Sequence, residues 1–109
     1  MARRRSGAKR LKETRELMIA ERVRLETTRP PSPFRDQRIE QLTAAIADVG
    51  RARAALMGDD PTPDWEVFIR RANRAARTRR WDRAAVYVGR MTERPAWRHA
   101  STASYAASR

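Results

Sequence analysis

The chain has 109 residues, enough for one small domain, and its 23 Arg and two Lys against 13 acids give a net charge of +12 and a pI near 11.6. Charge of this size speaks to a polyanionic partner (nucleic acid, acidic protein or anionic membrane) and not to a particular fold. The absence of Cys excludes a disulfide framework, a thiol nucleophile and a thiolate metal site, and no apolar run approaches the roughly 18 residues that span a bilayer.

The charge is unevenly placed. Residues 1–12 carry six basic groups and no acid (+6), residues 13–66 eight basic and eleven acidic groups (−3), and residues 67–109 eleven basic and two acidic groups (+9). The preference for Arg over Lys, beside many Ala, reads as the coding bias of a GC-rich genome. Such a bias explains Arg in place of Lys; it does not explain why acids nearly vanish after Glu66.

In chain order, residues 1–7 with Arg3, Arg4 and Arg5 are expected to form a flexible basic arm of the kind that reaches along a nucleic-acid groove. This basic start has no apolar stretch behind it, so no secretory signal is expected. Glu13 and Glu16 also argue against a transit peptide, which leaves a cytoplasmic location as the default.

A first helix is predicted over 8–27. Leu11, Met18 and Leu25 recur every seven residues, while Leu17, Ile19 and Val23 scatter onto other faces at about 100° per residue. The proline-rich connector at 27–33 is extended, because each residue before a Pro is driven out of the helical region. A second helix is predicted over 33–57, with Ser32 as cap and Pro33 at the first position, where a missing N–H costs nothing. Ile39, Leu42, Ile46, Val49 and Leu56 follow a/d heptad spacing, with Arg53 on the same seam and obliged to snorkel or find an acid. Gly50, beside the seam, either costs about 1 kcal/mol against Ala or permits a close approach by another helix. Helices one and two form an antiparallel pair over 8–58.

After the break at 58–64, a basic helical hairpin is expected over 62–94. Its first helix, 63–78, has Thr62 and Pro63 at its start and gathers Trp65, Phe68, Ile69, Ala72, Ala75 and Ala76 on one face, with Arg70, Arg71, Arg74 and Arg77 opposite. Its second, 81–93, places Trp81, Ala84, Ala85, Val88 and Met91 on one face and Arg83, Tyr87, Arg90 and Arg94 on another. The turn between them is about three residues. Arg79 and Arg80 rotate back toward the apolar side and mark the helix end, where cations suit the dipole. The set Trp65, Phe68, Ala72, Ala75 and Trp81, Ala84, Val88, Met91 resembles one tetratricopeptide-type unit over about 30 of the 109 residues. The resemblance implies a mode of packing and no function. An Ala/Ser-rich tail, 95–109, is expected to be disordered. The fold class is all-α, a small helical bundle of about four helices.

Enzymatic chemistry finds little support. His99 sits near Ser101 and Ser104 with nothing to orient it, no metal-ligand spacing occurs, and the four glycines stand too far apart for a phosphate-cradling loop. The expectation is a protein that is not an enzyme and holds no cofactor. Helix-turn-helix readout of bases is also disfavoured. The exposed face of the last helix offers Arg83, Val86, Tyr87 and Arg90, without the Asn or Gln that suit adenine.

The arginine faces therefore carry the functional expectation: a nucleic-acid-binding accessory protein (DNA or RNA) that contacts phosphates through Arg70, Arg71, Arg74, Arg77, Arg83, Arg90 and Arg94, with Tyr87 and the Arg3–Arg5 run, and reads few bases. The plain competing view is that an arginine-rich proteome simply uses Arg on solvated helix faces. The alternative function is a helical protein–protein adaptor or a structural component of a larger assembly, docking or dimerising through the seam Ile39, Leu42, Ile46, Val49 and Leu56. A membrane-surface helix is set aside, since the aromatic face of the third helix has a mate in the fourth.

Overall fold

A computed structural model of the chain describes residues 2–58 and 65–92, with side chains over 6–56 and 65–92. The fold is all-α. Among the described residues there are four helices and no strand: α1 (Ala2–Thr28), α2 (Pro33–Gly58), α3 (Trp65–Arg77) and α4 (Trp81–Thr92). The hairpin caps Thr62 and Pro63, the residues Arg94 and His99, and the 95–109 tail lie outside the described residues.

The first helix begins six residues before its expected start, so the backbone of the supposed arm is helical from Ala2. Ala and Arg are good helix formers, and no breaker separates them from a helix already nucleated downstream. Gly7 does not interrupt it. It is buried, and a Cβ there would lie 3.1 Å from Leu56 Cδ2 and 3.3 Å from Ile69 Cδ1. Gly50 faces open space, so of its two readings the close approach does not hold and the propensity cost remains; a close approach occurs at Gly7.

Leu11, Met18 and Leu25 are buried, and alternating with them at three- and four-residue steps are Gly7, Thr14 and Glu21, also buried. Half of the inward face of α1 is thus small or polar, which is why its apolar pattern looks loose.

The start of α2 is as the sequence predicts, with the Arg35 N–H donating to Ser32 Oγ at 3.1 Å. Its buried stripe runs Leu42, Ala45, Ile46, Val49, Ala52, Ala55 and Leu56, with Ile39 packed against it. Arg53 is exposed and leaves the seam to Ala52. A straight helix at 3.6 residues per turn drifts away from a 3.5-residue repeat, and the drift carries Arg53 outward. The seam Ile39, Leu42, Ile46, Val49 and Leu56 is therefore spent within this chain: α2 packs on α1 and α4, and these residues belong to or border the core.

Close contacts fix the antiparallel register of α1 and α2. Gly7 meets Leu56, Arg22 NH1 donates to Thr43 Oγ1 at 3.4 Å, and Arg35 Nε donates to the Leu25 carbonyl at 3.1 Å. The short hairpin α3–α4 docks on this long one, α3 against α1 and α4 against α2, and a single apolar cluster joins all four helices. No described helix is long and apolar enough to cross a membrane.

Candidate functional site

The site begins with a tight turn. After α3 the Arg80 N–H donates to the Ala75 carbonyl at 2.8 Å and the Arg79 N–H to the Ala76 carbonyl at 3.1 Å. This paired closure of a helix C-terminus requires a left-handed residue between its two bonds. Arg79 takes that conformation, φ 61°, in a place that usually belongs to Gly. Its guanidinium donates to Glu21 Oε1 at 3.1 Å, so the side chain ties the turn to α1. The residue that follows, Arg80, is exposed and lines the outer face of the hairpin.

On that face, α3 and α4 enclose a groove of about 360 Å³ lined by Arg71, Arg74, Ala75, Thr78, Arg80, Arg83 and Tyr87. An adjoining hollow of about 300 Å³ shares Arg71, Arg83 and Tyr87 and adds Asp82, Val86 and Arg90. Tyr87 is the aromatic residue that lines both. Its half-buried ring stacks on Phe68, with centroids 6.3 Å apart, and the Arg71 guanidinium lies 5.9 Å from the Tyr87 centroid. The larger hollow contains four guanidinium groups and no carboxylate. Among the described residues, Arg74, Arg80, Arg83 and Arg90 make no ion pair.

The other arginines named by the sequence are divided by their partners. Arg77 is held by a two-point ion pair: its Nε donates to Glu13 Oε1 and its NH2 to Glu13 Oε2, the latter at 3.1 Å. Arg70 donates to Glu66 at 2.8 Å, one turn back on its own helix, and does not line the groove. The row Arg70, Arg74, Arg77, expected to act as one outward stripe, thus contributes only Arg74 to the groove. The side chains of Arg3, Arg4 and Arg5, and all of Arg94, lie outside the described residues.

Three of the acids that pair with arginines stitch the two hairpins together. Asn73, almost fully buried, donates to Thr14 Oγ1 at 3.1 Å, Glu13 Oε1 at 3.2 Å and the Arg10 carbonyl at 3.3 Å. Glu21 accepts two bonds from Arg24, at 2.7 and 2.8 Å, besides that from Arg79. Asp82 accepts from Gln41 at 2.8 Å and from Arg38 at 3.0 Å.

All three carboxyls sit below their ordinary range. The largest cause is the hydrogen bond from Arg77 for Glu13, from Arg24 for Glu21 and from Gln41 for Asp82. Among the described residues, no buried side-chain polar atom is without a partner and no cluster of ligands could hold a metal.

A second cleft, of about 300 Å³, lies at the α1–α2 connector beside Phe34 and Trp81. Its Arg24, Arg35 and Arg38 are each paired with a carboxylate and its lining includes Glu21, so with Arg29 left over it offers less free charge than the α3–α4 groove.

Arg80 is the groove residue that the sequence reading assigned wrongly. Wheel geometry turns it inward, but the left-handed residue before it breaks the wheel and turns it out. A three-residue turn without Gly was the available signal.

Comparison of the chain with protein-family models, curated proteins and solved structures finds no match.

Proposed function

We propose that this protein is a small basic helical nucleic-acid-binding accessory protein that grips the phosphate backbone through the outer face of α3–α4 and reads few bases. The observation that carries this reading is the groove in which Arg71, Arg74, Arg80 and Arg83 converge with no carboxylate among its lining residues. Four guanidinium groups held near one another repel. An anion with several acceptor oxygens relieves that repulsion and gains charge-assisted hydrogen bonds. The excess of +9 over residues 67–109 and +6 over residues 1–12 adds long-range attraction for the same partner. Base-specific readout finds little purchase, because the groove offers no Asn or Gln side chain.

The test is affinity for duplex DNA, structured RNA and heparin, measured by fluorescence anisotropy across a salt series. Each phosphate neutralised contributes a slope of about −0.9 in log K against log salt on a duplex. The triple variant Arg74→Ala, Arg80→Ala, Arg83→Ala is expected to flatten the slope by roughly 2 to 3. Arg77→Ala, which acts on the Glu13 contact, should leave it nearly unchanged. Absence of binding near 0.15 M salt, or recovery of a stable complex with an acidic protein instead, overturns the proposal in favour of the adaptor. Equal affinity for heparin and for every nucleic acid reduces it to non-specific charge.

A further inference from the structure

We propose, building on the nucleic-acid reading above, that the α3–α4 groove takes a single strand, one nucleotide unit at a time, with the phosphate at its arginine end and the base against Tyr87. Three observations carry this. The groove is a concave space between two packed helices, and its two hollows hold about 360 and 300 Å³. A nucleotide unit can lie in such an open space with its base free to meet Tyr87, whereas the bases of a duplex are paired and stacked on one another.

The groove is also chemically polar along its length. One hollow is lined by Arg71, Arg74, Arg80 and Arg83 without an acid; the other shares Arg71, Arg83 and Tyr87 and adds Arg90, the exposed Val86 and the Asp82 carboxylate. The positive excess is therefore greater in the first, which favours a phosphate there, while Val86 gives an uncharged base an apolar contact in the second.

Tyr87, at the junction, is built as a platform. Phe68 stacks on its ring, and the Arg71 guanidinium over that ring supplies a planar cation on which a base can also lie. Bases stack on aromatic rings and on guanidinium planes alike, and they do so with little regard to sequence. A strand laid in this way explains an arginine-lined groove that contains an aromatic residue but no base-reading amide.

The experiment compares three probes with the same number of phosphates: an oligothymidylate, a strand of abasic units and a blunt duplex. The full chain is used, and affinity is measured across a salt series. Expected is binding of the oligothymidylate about 5- to 150-fold tighter than the abasic strand, the range for a stacked base, and tighter than the duplex. Tyr87→Ala should bring the oligothymidylate down to the abasic level while Tyr87→Trp retains the preference, with helix content checked by circular dichroism. The abasic comparison needs no variant, so a failure of Tyr87→Ala to fold leaves the test intact. Equal affinity for all three probes, with a steep common salt slope, overturns the single-strand inference and leaves the phosphate-binding function standing. A duplex preference does the same. No binding to any probe near 0.15 M salt overturns both.

Discussion

At the scale of single residues, the protein spends its arginines in two ways, and the partner decides which. Arg77 and Arg79 are consumed by acids on α1, Glu13 and Glu21, about sixty positions away in sequence. Arg74, Arg80 and Arg83 are left to the groove. The number of arginines and their helical faces were legible from periodicity. Their engagement was not, because it depends on carboxylates that only the docking of two hairpins brings near.

Arg79 shows the local consequence. Its left-handed backbone costs roughly 1 kcal/mol for a residue with a Cβ, and its ion pair with Glu21 offsets part of this. Arg79→Ala loses the pair and keeps the backbone cost; Arg79→Gly loses the pair and removes the cost. Denaturant melts should therefore find the Gly variant more stable than the Ala variant by about 1 kcal/mol. An Ala variant as stable as the Gly variant would show that the turn is not left-handed at this position.

At the scale of elements, each helix was legible where its ends and apolar stripe are written in strong chemistry. Ser32 and Pro33 announce α2, and two tryptophans anchor the facing stripes of α3 and α4. The N-terminal extent of α1 was hidden because Gly7 reads as a weak point in a basic segment. Its role depends on Leu56 and Ile69, which no local pattern connects to it. The two internal glycines of the long helices therefore make opposite predictions. At Gly50 a Cβ meets open space, so Gly50→Ala should stabilise the protein by about 0.5–1 kcal/mol through helix propensity alone. At Gly7 the same gain is set against two methyl tips that must yield by a few tenths of an ångström, so Gly7→Ala should be near neutral. Gly7→Leu overfills the contact and should cost about 1–3 kcal/mol. Thermal melts of the three variants decide it; a Gly7→Leu protein as stable as Gly50→Ala would mean that α1 does not pack against Leu56 and Ile69.

At the scale of the whole molecule, three acids lie at the boundary between the two hairpins, and this makes their docking sensitive to acid. Glu13 joins α1 to α3, Glu21 joins α1 to the α3–α4 turn, and Asp82 joins α4 to α2. Each is held below its ordinary value in the folded chain. A depressed carboxyl contributes stability that is fully present at neutral pH. That stability starts to be lost as pH falls below the unfolded value, 4.5 for glutamate, and is gone once pH has passed through the folded value.

The three are not equal. The Asp82 and Glu13 side chains are 77 % and 41 % exposed, so water screens their pairs and little stability rides on them. Glu21 is 7 % exposed and accepts three hydrogen bonds from two guanidinium groups. Glu21→Gln should cost about 1–2 kcal/mol at pH 7, since charged hydrogen bonds are lost although the arginines still reach water. It should also remove most of the difference in melting temperature between pH 7 and pH 3, whereas Glu13→Gln and Asp82→Asn should preserve it. The buried Trp65 and Trp81 provide a fluorescence signal for the scan. If all three single variants keep the wild-type pH dependence, acid acts by general repulsion among the protein's many cations, and the docking of the hairpins does not hinge on Glu21.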